Sequence, residues 1–377
     1  MAGLFTTETD GDDLTHVLRL SLVSGIGPRL RQLLLERFGS PAAVFAASQS
    51  ELRSVPGIGA KLASAVLRAR EEIDVAAELE HCRRHGVSIV PLGSADYPRA
   101  LSEIADPPGV LFVRGAVEPR DALSIAIVGS RHATRYGSMI AERLAASLSR
   151  AGLTIISGLA RGVDAAAHRG ALSAGGRTIA VLGSGVLNIY PPEHADLAKE
   201  VIAHGAVVGE APVRSAPLSG AFPQRNRLIS GMSLGVVVVE AALQSGALIT
   251  ARHAMEQGRD VFAVPGPVDS RTSRGCHQLI RDGAKLVETA DDVLEELGPL
   301  MAPAPRDDGS LVHHPAELLL NDAEQRILGA VGTSATAIDQ VIADCGLPTP
   351  QVLAALSVLE MRRLIKRISG NYVVRAC

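Results

Sequence analysis

Seven short apolar runs along the middle of the chain, each followed by a glycine-containing loop and an amphipathic stretch, restrict the fold more than any other feature. They are Ser124 to Val128, Thr154 to Ile156, Thr178 to Leu182, Ala206 to Val208, Gly235 to Val239, Asp260 to Val264 and Lys285 to Val287. Strands that are apolar on both faces belong to a parallel sheet with helices on each side, because such a sheet shows no face to water. The alternation holds from Ser88 to about Gly298 and predicts a doubly wound, Rossmann-like α/β core. A ligand of such a core sits beyond the carboxyl ends of the strands, where the loops gather.

The segment before the core contains a repeat. Val23-Ser-Gly-Ile-Gly-Pro-Arg-Leu30 recurs as Val55-Pro-Gly-Ile-Gly-Ala-Lys-Leu62, offset by 32 residues. Each copy puts a Gly-x-Gly hairpin ahead of a helix that opens with Pro28-Arg29 or Ala60-Lys61, the pattern of a tandem helix-hairpin-helix (SAM-like) module. Glycines there allow close approach of an anion to free helix N–H groups. A purely structural copy packed on the core is the alternative. After the core, Met301 to Pro315 is proline-rich and reads as a linker. Asn321 to Cys377 then suggests three helices and a hairpin around Ser369-Gly-Asn371, a winged helix. With six basic and five acidic residues, it reads as a protein-contact or dimer-support module ahead of a DNA reader. The expected division is 1–80 helical module, 81–298 core, 299–320 linker and 321–377 winged helix.

Composition narrows the class. The chain has 377 residues, is 47% hydrophobic and carries a formal net charge of −3. The acidic excess is local, with four acidic and no basic residues in 1–13 and five acidic residues from Glu288 to Glu296. Residues 120–287 hold 18 Lys plus Arg against 12 Asp plus Glu, a balance that suits an anionic partner. No apolar run approaches the roughly 18 residues of a membrane span, and the acidic start is unlike a signal peptide, so a cytoplasmic protein is expected. Cys82, Cys276, Cys345 and Cys377 are too scattered for a disulfide framework or a zinc ribbon, and His81, Cys82 and His85 lack a fourth ligand; no metal or cofactor is expected.

The loops carry the functional reading. After the first strand comes Gly129-Ser-Arg-His-Ala-Thr-Arg-Tyr-Gly137, where small residues permit close approach of an anion that Arg131 and Arg135 would neutralise. It is not Gly-x-Gly-x-x-Gly. The next strand ends in Ser157-Gly158-Leu-Ala-Arg161-Gly162 rather than in an acidic residue, which disfavours NAD, and a P-loop is missing. Further loops are Gly183-Ser-Gly185, Phe222-Pro-Gln-Arg-Asn-Arg227, Ser245-Gly-Ala-Leu-Ile-Thr250 and Pro265-Gly-Pro267. Six loops with arginines in three of them suit an extended polyanion, with Arg131, Arg225 and Arg227 on phosphates and Tyr136 and Phe222 stacking on bases. Asp164 and His168 read as an i, i+4 pair that fixes its helix rather than as acid and base. Glu240 is the best candidate for a hidden catalytic carboxylate, or else a cap for the helix starting near Gly246.

Ile127-Val-Gly-Ser-Arg131, Ser157-Gly-Leu-Ala-Arg-Gly-Val-Asp-Ala-Ala-Ala-His168, Phe222-Pro-Gln-Arg-Asn-Arg-Leu-Ile-Ser-Gly231, and Ser245-Gly-Ala-Leu-Ile-Thr-Ala251 with Val264-Pro-Gly266 together resemble the bacterial DprA/Smf family of DNA-processing proteins. The resemblance covers the whole chain. It implies a protein without catalytic chemistry that binds and protects incoming single-stranded DNA in natural transformation, loads the RecA recombinase, and dimerises through the Rossmann-like domain. The site it implies, joined to the loop reading, is Gly129, Ser130, Arg131, Tyr136, Gly158, Arg161, Phe222, Arg225, Asn226, Arg227, Ser245 and Gly246. One departure is visible: many relatives have a basic residue after Tyr-Pro and Asn two further on, whereas Tyr190-Pro191 is followed by Pro192, Glu193 and His194. The competing readings are a Rossmann-like nucleotide hydrolase, whose Pro-Gly-Gly-x-Gly-Thr-x-x-Glu loop this chain lacks, and a nucleotide sensor.

Overall fold

The computed structural model describes residues 11–300, 303–306, 308–368 and 371–376. The acidic stretch through Asp10, Met301, Ala302, Asp307, the hairpin turn at Ser369 and Gly370, and Cys377 lie outside the described residues. The chain divides into two compact units, one through Lys285 and one from Leu286.

The first unit is built on a sheet of order β1-β2-β6-β5-β4-β3-β7-β8-β9. Its strands are β1 Val87–Pro91, β2 Val110–Gly115, β3 Ser124–Gly129, β4 Thr154–Ser157, β5 Thr178–Val181, β6 Gly205–Gly209, β7 Gly235–Val239 and β8 Asp260–Ala263, with the two-residue β9 Lys285–Leu286 at the unit boundary. From β6 through β8 all pairings are parallel. Each apolar run becomes a strand to within a residue or two. The sheet is nonetheless mixed: β1 and β2, not singled out by the sequence, pair antiparallel with each other, and β2 pairs antiparallel with β6. Antiparallel neighbours need no crossover helix, so these two strands are joined without the long helix that marks the others.

Side-chain alternation fixes both faces. Ala126, Val128, Ile156, Val236 and Val238 meet Ile229, Ala247 and Ala251 of the helices Ala221–Gly231 and Gly246–Glu256. Their neighbours Ile125, Ile127, Ile155 and Val237 are equally buried on the opposite face, where Arg135–Arg150 and Val163–Ser173 pack together. After β3 the chain works outward through β4, β5 and β6, then returns to place β7 on the other flank of β3. The carboxyl ends of β3 and β7 therefore form the switch point at which a crevice opens.

In the helical module the two repeat copies are near copies in space. Val23 and Val55, like Ile26 and Ile58, are buried at equivalent positions, and Gly25 and Gly57 take φ of 88° and 86°. A side chain on Gly25 would meet Leu62 at 2.7 Å, and one on Gly57 would meet Leu30 at 2.9 Å, so each hairpin seats the other's leucine. Gly27 and Gly59, which open the helices Pro28–Phe38 and Ala60–Glu72, face open space. Arg31 of the first of these helices donates to the Pro107 carbonyl at 2.9 Å and ties the module to the core.

The second unit holds helices Asp322–Ala330, Ile338–Cys345 and Thr349–Met361 and a sheet in which Tyr372–Arg375 lies between Thr336–Ala337 and Ile365–Ile368, the winged-helix arrangement. Asn321 and Glu324 form a capping box on the first helix. The third ends at Met361, and Arg363 just beyond it turns to φ 58°. Part of the expected linker is ordered: Ala304–Pro305 pairs with Leu311–Val312, and Arg306 donates to the Glu317 carbonyl at 3.0 Å. Among the described residues no single helix is long and apolar enough to cross a membrane. Cys82, Cys276 and Cys345 are buried free thiols.

Candidate nucleic-acid interface

Two loops meet where β3 and β4 end, and glycines dictate how closely. A Cβ on Gly129 would lie 1.8 Å from the Val239 carbonyl oxygen and 2.6 Å from Val163, and one on Gly162, at φ 74°, would lie 2.2 Å from the Ser130 carbonyl oxygen. The Val163 N–H donates to that same oxygen at 3.2 Å, which holds the Gly129–Arg131 segment against the start of the next helix. Thr134 caps the helix Arg135–Arg150.

Glu240, just past β7 and held at φ 51°, clamps this loop. Its carboxylate accepts the Thr134 N–H at 2.8 Å and the Thr134 hydroxyl at 2.5 Å. The carboxylate thus serves the N-terminus of the helix after β3, where negative charge is favourable, and not the helix near Gly246, which Ser245 caps. Asp164 is likewise engaged. It accepts N–H groups from Gly158 at 3.2 Å and Ala160 at 3.3 Å; burial pushes its carboxyl up, opposed by Arg225. His168 does not pair with Asp164. Its Nδ1 bonds the Thr178 hydroxyl at 2.7 Å, and burial drives its pKa down to about 3, so the ring is neutral.

Beyond the switch point lies a cleft of about 830 Å³. Gly129, Ser130, Arg131, Phe222, Arg225, Asn226, Ser245 and Gly246 all line it. The Arg131 guanidinium is exposed and lies 5.3 Å from the centre of the Phe222 ring, and Phe222 in turn lies 5.6 Å from Tyr190, tilted by 42°. Arg225 is buried behind them and donates to the carbonyls of Gly158, at 2.9 Å, and Val181. Burial lowers its pKa to about 10, against the pull of Asp164, so it stays charged at neutral pH. Asn226 bridges to the Gly246 carbonyl at 3.2 Å. With Arg271 the lining carries three arginines against the single carboxyl of Asp164.

Three expected contacts fall elsewhere, and a fourth acts indirectly. Arg227 is buried away from the cleft, 3.1 Å from Asp106 and 2.6 Å from Glu210. Tyr136 donates to the Pro265 carbonyl at 3.0 Å and does not line the cleft. Arg161 is paired with Glu193 at 2.5 Å on the rim. Gly158 makes room for the Arg225 guanidinium, which a Cβ would approach to 2.5 Å. The sequence reading missed Tyr190, Gln244 and Arg271 as lining residues. Arg271 had a readable signal, an arginine in the glycine- and proline-rich stretch that follows β8.

Residues 88–298 match the family described as DNA recombination-mediator protein A, residues 312–371 the DprA winged helix domain, and residues 17–72 the SAM-like helix-hairpin-helix tandem. Protein Smf of Escherichia coli is 42% identical over 292 residues, covering 77% of this chain and 78% of its own. Protein Smf of Synechocystis is 35% identical over 383 residues, covering 94% and 96%. Among solved structures, DNA processing protein A (DprA) of Streptococcus pneumoniae aligns with a TM-score of 0.65 and 34% identity over 75% of this chain and 98% of its own. DNA processing protein A of Helicobacter pylori, solved for its single-stranded DNA binding mode, aligns with a TM-score of 0.50 and 29% identity, covering 55% and 93%.

Proposed function

The chain belongs to the DNA recombination-mediator protein A family, the DprA/Smf proteins, and from that premise we propose that it binds single-stranded DNA in the cleft at the ends of β3 and β7. The observation that carries this reading is the composition of the cleft. Three arginines outnumber one buried carboxyl there, and Arg131 lies over Phe222, which packs against Tyr190. Single strands are held by that combination, cations along the backbone and rings beneath the bases. Arg131, exposed beside the Phe222 ring, is the principal phosphate contact. Arg225, tied to two main-chain carbonyls, supplies fixed charge from below.

The protein acts on DNA by binding and not by bond cleavage. Support for this comes from the side chains with the strongest catalytic potential, each already committed to the scaffold: Glu240 to Thr134, Asp164 to two backbone N–H groups and His168 to Thr178. In the family setting the bound strand is protected and handed to the RecA recombinase in the cytoplasm during transformation, by a homodimer formed through the Rossmann-like domain. The labour divides among a helical module at 1–80, a strand-binding core at 81–298, a connecting segment at 299–320 and a winged helix at 321–377.

The test is fluorescence anisotropy with labelled single-stranded and duplex oligonucleotides at several salt concentrations. Wild type is expected to prefer the single strand and to weaken with salt, as phosphate contacts require, and Arg131→Ala is expected to lose roughly tenfold or more in affinity. Equal binding by Arg131→Ala and wild type would refute the assignment of the cleft. Tight binding or hydrolysis of a mononucleotide in its place would favour a nucleotide sensor or enzyme.

A further inference from the structure

We propose that Glu193 is an electrostatic gate on the cleft: in the free protein its carboxylate holds the Arg161 guanidinium at the rim, and a phosphate of the incoming strand takes that guanidinium over. The inference rests on the cleft being the strand-binding site. It concerns the position where the sequence puts Pro192, Glu193 and His194 after Tyr190-Pro191.

Arg161 Nε lies 2.5 Å from Glu193 Oε1, with about half of each side chain exposed. The Tyr190 side chain is close enough to act electrostatically on the same guanidinium. Ala160, next in the chain to Arg161, lines the cleft, and so does Tyr190, but Arg161 itself does not. The cation therefore waits beside the Tyr190–Phe222 pair, where a base stacked on the rings would bring its flanking phosphate.

The contrast with Arg225 explains why this arginine is free to change partner. Arg225 is buried and anchored to main-chain carbonyls, which do not move independently of the sheet ends. Arg161 is held by a side chain, the Glu193 carboxylate on the single turn Pro192–His194, which balances its charge. An ion pair in water is weak, because solvent already stabilises both charges and salt screens them. A phosphate offers the same charge in a geometry that suits a guanidinium fork, and Glu193 returns to water when displaced. Glu193 thus weakens binding, because its ion pair with Arg161 has to be broken before the phosphate contact forms.

Glu193→Gln removes the charge at an exposed site and keeps the shape. In the anisotropy titration it should tighten binding of a labelled oligothymidylate by roughly two- to fivefold at low salt. The slope of log K against log salt should stay as in wild type, because the strand makes the same phosphate contacts in both proteins. Arg161→Ala and Arg161→Ala/Glu193→Gln should then bind alike, since without the arginine there is nothing to release. An unchanged affinity in Glu193→Gln would overturn the gate, as would a slope steeper by about 0.7, which would mark a phosphate contact absent from the wild-type complex, or an equal gain in the presence and absence of Arg161, which would mark a general charge effect. Arg131→Ala measured alongside separates the gate from the cleft. If it loses binding while Glu193→Gln is silent, the gate alone fails; if it binds like wild type, the cleft assignment fails and the gate with it.

Discussion

Arg227→Ala separates the structural role of one arginine from the role its sequence motif suggests. The side chain is 7% exposed and contacts Asp106, 42% exposed, and Glu210, 28% exposed. Removing one partner from a buried ion pair costs about 3–5 kcal/mol, because the other charge is stranded. Here the carboxylates are partly wetted, and Arg227 Nη1 has no partner of its own, so a loss of about 2–3 kcal/mol at neutral pH is expected. The loss should depend on pH. Burial already raises the Glu210 carboxyl, and Arg227 is the main opposing influence, so the variant should raise it further. A group raised in the folded state stabilises fully below its unfolded pKa and ceases to do so as pH rises through the folded value. The deficit relative to wild type should therefore be small near about pH 4.5 and grow above the usual carboxylate range. Urea unfolding followed by far-ultraviolet circular dichroism at about pH 5 and about pH 8 gives the difference, and anisotropy on the folded variant should give strand affinity within about twofold of wild type. A wild-type unfolding midpoint combined with lost DNA binding would refute this placement and turn Arg227 back toward the strand.

Two further outcomes follow from buried groups. His168, neutral in the fold with a pKa near 3, binds a proton more readily when unfolded, so acid should cost stability from about pH 6.5 downward by up to roughly 1.4 kcal/mol per pH unit; His168→Gln should flatten that limb, and an unchanged slope in urea midpoints between about pH 7 and about pH 4 would count against it. Gly129→Ala would put a methyl 1.8 Å from the Val239 carbonyl and should lower stability by at least about 2 kcal/mol while abolishing strand binding; Gly246→Ala, facing open space, is the control that should keep its melting temperature.

The sheet was legible because its strands are apolar on both faces, a pattern that little besides a parallel sheet covered on both sides produces. β1 and β2 were not singled out: they form an antiparallel edge joined without the long crossover helix that follows the parallel strands. At the site, the loops after β3 and β4 could be read from their glycines, which pack against carbonyl oxygens in the folded chain. The arginines at 225 and 227 were harder. Phe222 to Arg227 looks like a loop because Pro223 interrupts it, yet the structure places Pro223 in the first turn of a helix, where its missing N–H has no partner to lose. On a helix, positions two apart point to nearly opposite sides, so Arg225 reaches the cleft and Arg227 the ion pair beneath. Helical periodicity applied to this segment separates them; adjacency in a motif does not. Arg161 and Tyr136 escaped for another reason, since their partners Glu193 and Pro265 are distant in sequence.

The reciprocal seating of Leu62 on Gly25 and Leu30 on Gly57 bears on how the helical module is put together. Each copy of the repeat carries both a leucine and the glycine hollow that receives one, so a single copy is complementary to itself. Self-complementary surfaces meet about a two-fold axis. The tandem is in this sense a symmetric dimer whose subunits have been joined end to end, and any enlargement at one glycine has to be answered by trimming the leucine in the other half.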